Sequence, residues 1–408
     1  MLFQALQSNY QQRSGSIIQN GGFMSGFFGG GFGASSKSGM TVNDKSALTL
    51  SAFYNGITIL CNDYAKLPKH VVQHIDGDIN RLANHPADYI INEKPNQYMN
   101  AFGFDSILLK CAILKGNGYA EIVRSTFNGQ VESLQYINEN DTPVTIKKFE
   151  NKLFYHFDNR VLSSDDILHY RSLYSENGIT GIGVVSYAAR SLGVALSSQE
   201  FAEEYYATKG IGTGVVTTSK SMDADAKKRY RHGLSVALSG SNPFKIAVLD
   251  EAGSFQHIKL TPQESMFLET NKQAIGEVAR WLNIPIYKLK DTENQNNSNM
   301  EHQSISHVSD SILPWSMINQ QEYNAKIFID SERKQGIRTR FNTESLLQSD
   351  KKTQMAWFIG MIYSGSMTRN EVRVYMGLNK LKGLDEPLTP VNMQTMEQIQ
   401  KSLKLEEN

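Results

Sequence analysis

Two long stretches of helical periodicity constrain this chain more than any other feature. The first runs over residues 184–209, from VVSYAARS to EEYYATKG, and at 1.5 Å per residue it would be on the order of 40 Å long. Gly210, Gly212 and Gly214 end it. The second opens at Thr261-Pro262-Gln263-Glu264, a capping box with proline at the first helical position. It carries Phe267, Leu268, Ile275, Val278, Ala279 and Leu282 inward and ends at Ile284-Pro285. Between the two lies a small mixed segment: strand-like VVTT, a helix holding AKKRYRHGL, and the strands KIAVLD and FQHIKL joined through Gly253.

The part before the first long helix reads as α+β. Leu50, Phe53, Ile57, Leu60 and Tyr64 recur at helical spacing up to Pro68, and HVVQHI then meets the turn signal Asp76-Gly77. A second helix carries Phe104, Ile107, Leu108, Cys111 and Leu114 and stops at Gly116. YAEIVRS and QVESLQYI flank Asn128-Gly129, which predicts a type I′ hairpin because both central positions want positive φ. VTIKKF and LFYHF suggest a further hairpin.

After the second long helix, KDTENQNNSN reads as an exposed loop. A third long helix follows, with Ile305, Val308, Ile312, Trp315 and Ile327 near one stripe. Pro314 must bend it, since proline removes a backbone donor and clashes with the preceding turn. Beyond strand-like IRTRF lie two short helices, the second opened by a Thr368–Glu371 capping box and stopped at Gly377. Residues 1–40 stand apart. NGGFMSGFFGGGFGASSKSG is too dense in glycine to form a regular element, so a flexible arm is expected there.

Composition narrows the chemistry. Lys plus Arg equal Asp plus Glu, 41 each, giving a formal net charge of zero. Affinity for duplex DNA comes largely from phosphate neutralisation, so this balance argues against a tight grip on it. The two cysteines, Cys61 and Cys111, both sit in apolar helical patterns and read as buried thiols, which fits synthesis in a reducing cytoplasm. The N-terminus has no secretory pattern, and no apolar run reaches membrane-spanning length.

Enzyme constellations are missing. No Gly-Lys dipeptide occurs, which excludes a Walker A loop, and there is no G-x-S-x-G elbow or H-E-x-x-H pair. His302 and His307 are five apart, off a common α-helical face, and read as surface residues. Gly210-x-Gly212-x-Gly214 follows a helix instead of a strand and lacks dinucleotide-loop spacing. The acidic pairs Asp76/Asp78 and Asp165/Asp166 read as turn residues rather than metal ligands.

Taken in order, seven runs resemble the portal proteins, or head–tail connectors, of tailed double-stranded DNA phages. They are KPNQYMNAFGF, KGNGYAEIVR, DDILHYRS, GITGIGVVSYAARS, FLETNKQAIGEVARWLNIP, NSNMEHQSISHVSDSILPW, and MTRNEVRVYMGL with LTPVNM. The runs lie between residues 94 and 393, and the resemblance takes in about residues 41–393. The chain departs from the family pattern at Gly183-Val184-Val185, where a small residue and proline usually follow the paired glycines.

The resemblance implies a multi-domain α+β portal fold assembled as a twelve-subunit ring. Residues 41–182 with 329–347 would form a wing, 183–211 and 261–285 two stem helices, and 212–260 an α/β clip. Residues 286–299 would be a tunnel loop, 300–328 a kinked helix, and 348–408 a helical crown with a C-terminal tail. The implied role is genome packaging, retention and ejection at one capsid vertex, with no catalysis, cofactor or membrane. Implied partners are the terminase large subunit, the head–tail adaptor, the major capsid protein and the passing duplex. In the tunnel loop, Lys288, Lys290, Asn294, Gln295, Asn296 and Asn297 are candidates to face DNA, with an ordinary solvated loop as the competing reading. In the clip, Lys227, Lys228, Arg229 and Arg231 admit a solvated helix face or a docking surface for terminase or adaptor. Another non-enzymatic virion component, such as an adaptor or shell subunit, is the alternative.

Overall fold

Apolar spacing places the first long helix of the N-terminal half, and the strands around it pack onto that helix. The computed structural model describes residues 17–18, 34–35, 41–75, 78–207, 214–218, 223–225, 227–229, 232, 253–257, 263–289, 303–346, 351–376 and 378–388. Two dipeptides of the glycine-rich arm form strands, β1 (Ile17–Ile18) and β2 (Ala34–Ser35), and the rest of that expectation lies outside the described residues. β2 pairs with β3 (Thr41–Val42), and α1 (Asp44–Ala47) follows behind an Asn43 cap. In α2 (Ser51–Ala65), Phe53, Ile57, Leu60 and Tyr64 are all buried, as their spacing of three and four requires.

β4 (Lys69–Ile75) and β5 (Asp78–Arg81) form an antiparallel hairpin with Ile75 opposite Asp78. Next come α3 (Pro86–Asn92) and α4 (Ala101–Lys115), the latter capped by Asn100 and ended by Gly116 at φ 97°. That left-handed conformation is the reason for glycine there.

β6 (Asn117–Arg124) and β7 (Val131–Ile137) pair, but not through a two-residue turn at Asn128-Gly129. The ladder stops at Arg124 opposite Val131, and of the two residues only Gly129 has positive φ, 72°. Asn128 instead uses its side chain, accepting from the Gln130 N–H at 3.0 Å, an Asx-type cap that competes with the tight turn. Tight turns with two positive φ values occur elsewhere. Glu150-Asn151 (46° and 62°) joins β8 (Thr145–Phe149) to β9 (Lys152–Phe157). Asp158-Asn159 (45° and 56°) joins β9 to β10 (Arg160–Ser163). Asp165 and Asp166 lie in a 3-10 turn capped by Ser163, leading into β11 (Ile167–Arg171).

The first long helix is interrupted. α5 (Val184–Tyr187) and α6 (Ala189–Ala207) are separated at Ala188, where ψ is 1°. The sequence pattern reads through the break because Ala188, Leu192 and Leu196 are buried in helical phase. β12 (Gly214–Thr218) pairs with β13 (Gly253–His257), closing the two ends of the small inserted segment on each other; KIAVLD is outside the described residues. α7 (Gln263–Leu282) packs along α6 and onto α2 through Val278, Ala279 and Leu282.

A 3-10 turn (Ile286–Leu289) follows, and a π-helical turn (His307–Ile312) leads into α8 (Leu313–Lys326). After α9 (Asp330–Lys334), β14 (Ile337–Phe341) pairs antiparallel with β4 and completes the order β14-β4-β5. The other larger sheets run β11-β6-β7 and β1-β8-β9-β10. α10 (Lys351–Tyr363) and α11 (Arg369–Tyr375) close the described chain, α11 opened by the Thr368–Glu371 capping box. The main core joins α2, α4, the wing strands, both long helices and α8. A smaller one, with Tyr119, Ile146, Tyr155 and Phe157, lies under β8–β10.

Candidate functional site

Three of the runs that carry the family resemblance meet at the root of the first long helix. Asn117, from KGNGY, accepts on Oδ1 from the Gly181 N–H at 2.8 Å and from His169 Nε2 at 2.9 Å. Its Nδ2 donates back to the Gly181 carbonyl at 3.2 Å. Burial pushes the His169 pKa well below its ordinary value, so the ring is neutral. With Nε2 as donor, Nδ1 accepts from the Tyr155 hydroxyl at 3.1 Å. Gly183 approaches so closely that a Cβ there would overlap the Leu114 carbonyl. Backbone at the end of α4 thereby presses directly on the entry to α5.

Two more runs meet at the end of the second long helix. Asn283 closes α7 in the left-handed region at φ 51°, a position where glycine is commoner. Its Nδ2 donates to the Asp310 carbonyl at 2.8 Å. That carbonyl is four residues before Pro314, which has no N–H to offer it. The Ser311 hydroxyl in turn donates to the Asn283 carbonyl. From His307 to Ile312 the helix is π-wound, and the Leu313 N–H reaches back five residues to the Val308 carbonyl.

The π-turn overturns two expectations. One extra residue in a turn rotates everything before it by about 100° relative to α8. Ile305 accordingly leaves the apolar stripe and is 49% exposed. His307, expected at the surface, is 2% exposed. His302 lies outside the described residues.

His307 is buried because it has a partner. Its Nε2 is 3.1 Å from Oδ2 of Asp63 on α2, and Lys288 Nζ, on the 3-10 turn after α7, is 3.1 Å from the same oxygen. Lys66 Nζ donates to Oδ1 at 3.1 Å. Burial opposes ionisation of Asp63, but the His307 hydrogen bond and the Lys288 and Lys66 charges outweigh it. They hold its carboxyl well below the usual carboxylate range. One carboxylate on α2 therefore binds the residues on both sides of 290–302.

A second buried carboxylate ties α8 to α4, β4 and β11. Asp105 on α4 is paired with the fully buried Lys69 of β4, and accepts from Tyr170 of β11 at 3.0 Å and Tyr323 of α8 at 3.3 Å. Tyr64 of α2 donates to the Tyr170 oxygen at 3.1 Å. Burial pushes all three phenols well above their ordinary pKa, so they remain donors at any physiological pH. Pattern reading missed this set. Its one signal is a lone aspartate in the otherwise apolar run AFGFDSILL.

Of the residues singled out from sequence, Lys288 is half-buried and paired with Asp63, while Lys227, Lys228 and Arg229 are exposed. Lys290, Asn294, Gln295, Asn296, Asn297 and Arg231 lie outside the described residues. Among the described residues, no acidic, His or Cys cluster could hold a metal. Both cysteines are free; burial pushes the Cys61 thiol up to about 12. No described helix is long and apolar enough to cross a membrane. Each carboxylate takes three side-chain donors, an arrangement that holds elements together.

Comparison with known proteins agrees with the geometry. A family model described as phage portal protein matches residues 51–377. The probable portal protein of Streptomyces phage phiC31 is 25% identical over 383 residues, covering 88% of this chain and 82% of its own length. A portal protein of the HK97 phage family from Corynebacterium diphtheriae superposes with a TM-score of 0.59 at 14% identity, over 76% of this chain and 99% of that one. The neck of a native gene transfer agent particle, computed with C12 symmetry, contains a chain with a TM-score of 0.51 at 14% identity, over 83% of this chain and 95% of that one. With four-fifths of its length matched by the family model, and with the family's sequence runs meeting at the roots of its two long helices, this chain belongs to the phage portal protein family.

Proposed function

We propose that the chain forms a twelve-subunit ring at one capsid vertex, through which the double-stranded genome is packaged, retained and ejected. The observation that carries the ring is the outer face of α6. Val194 and Phe201, one heptad apart, are 56% and 49% exposed while Leu192, Ala195 and Leu196 face α7. Apolar side chains at that spacing suit a neighbouring helix, and a closed ring covers every such face with the same surface of the next subunit. Met355, Trp357, Ile359 and Tyr363 on α10 are exposed as well. Substituting Val194→Asp with Phe201→Asp is expected to convert rings to monomers, read by native mass spectrometry; rings of unchanged mass would sink this interface.

The terminase docks on the clip first and the tail adaptor afterwards, with Lys227, Lys228, Arg229 and Arg231 as the docking cations. Changing all four to Glu is expected to weaken terminase binding at least about tenfold while rings still form. The duplex is faced by Lys288, Lys290, Asn294, Gln295, Asn296 and Asn297, with the Lys288 charge shared with Asp63. Neutral overall charge supports passage with few, weak phosphate contacts. The subunit contacts the major capsid protein in the shell and is made in the host cytoplasm, where its two thiols stay reduced.

A further inference from the structure

We propose that Asp63 is a positioning residue. It fastens both flanks of the segment 290–302 to α2 and selects the π-helical register of residues 307–312. The geometry is specific. A single oxygen, Oδ2, takes Lys288 from the flank before the segment and His307 from the flank after it, each at 3.1 Å. Lys66, the C-cap of α2, occupies the other oxygen and holds the carboxylate in this orientation. These bonds are charge-assisted and shielded, which makes them strong for their number.

The π-turn gives the bond to His307 its second role. Pro314 explains why a regular α-ladder is interrupted, but it does not dictate where the extra residue sits. If residues 307–312 relaxed to α geometry, the chain before them would shift by about one residue, 1.5 Å along the axis and 100° around it. That shift would carry His307 off Asp63 and bury Ile305 in its place. The Asn283–Asp310 bond ties α7 to the same turn, but among the described residues only Asp63 hydrogen-bonds to both flanks from α2. In a ring, every subunit would then present the segment from the same starting point, a consequence that rests on the portal reading.

Hydrogen–deuterium exchange on the full-length protein tests this. In Asp63→Asn, peptides spanning 283–289 and 303–312 are expected to exchange at least about tenfold faster, while β6–β7 peptides stay unchanged. Lys288→Ala should loosen the first flank only. His307→Ala should loosen the second, and His307→Gln, which keeps a donor, should restore most of the protection. Unchanged exchange at both flanks in Asp63→Asn would overturn the proposal, and so would loosening spread across the whole wing. If Asp63→Asn does not fold, the Lys288 and His307 variants decide, since loss of protection on the wrong flank or on neither refutes the two-sided tie. A chain that loosens as described yet forms no ring sinks the portal reading and keeps this one. A ring with flanks indifferent to all three variants does the reverse.

Discussion

The side-chain amide of Asn283 donates at 2.8 Å to the Asp310 carbonyl, which lies four residues before Pro314 and so receives no N–H from it. Asn283 thus does two things, ending α7 in a left-handed conformation and repairing a defect in the next long helix. The two roles separate by substitution. Asn283→Gly keeps the conformation and loses the bond, which should cost about 1 kcal/mol. Asn283→Ala loses the bond and adds left-handed strain, for a total of about 2 kcal/mol. Thermal unfolding should rank wild type above Gly above Ala. A Gly variant as stable as wild type would mean the amide contributes nothing.

The Lys69–Asp105 pair is buried on both sides. Removing one partner strands the other charge, so Lys69→Met alone should destabilise by about 3–5 kcal/mol. Lys69→Met with Asp105→Leu should recover part of that loss. Recovery is incomplete because Tyr170 and Tyr323 also lose their acceptor. Denaturant midpoints of the three proteins check the order; equal loss in single and double variants would contradict it.

Two glycines make a matched comparison. A Cβ at Gly183 would overlap the Leu114 carbonyl, whereas one at Gly276 would meet nothing within 4 Å. Gly183→Ala should therefore destabilise by about 3 kcal/mol, since backbone cannot move aside cheaply. Gly276→Ala should be neutral or stabilising by up to about 1 kcal/mol, because glycine inside a helix is entropically unfavourable. Melting temperatures that move together in the two variants would refute the backbone contact.

Asp63 makes the junction acid-sensitive. Its folded pKa is depressed, so its contribution is complete at neutral pH, begins to fade as pH falls past the ordinary aspartate value near about 4, and is lost on descending through the folded value. The stability difference between wild type and Asp63→Asn should shrink as pH is lowered from 7 towards 3. A difference that holds constant over that range would mean that folding leaves the Asp63 pKa unshifted.

Much of the fold was legible because it follows from periodicity. The stripe of α2, the β4–β5 hairpin, the Thr368 cap and the apolar face of α7 all needed only local spacing. What was not legible depends on distant partners. Asn128-Gly129 looks like a tight turn, but the Asn128 side chain caps a longer loop, while Glu150-Asn151 and Asp158-Asn159 adopt the conformation it was expected to have. Ala188 interrupts a helix without breaking its apolar phase. His307 reads as polar surface until a π-turn rotates it onto Asp63, 244 residues away in sequence. Lys69 and Asp105 were invisible for the same reason, since each is a buried charge only by virtue of the other.

Imaging of the purified chain in negative stain, with its mass measured in solution, tests the central claim most directly. The expected particle is a closed ring of twelve subunits with a central opening wide enough for a duplex, about 20 Å across or more. Monomers, open filaments, or hexamers and pentamers that build icosahedral shells would contradict it.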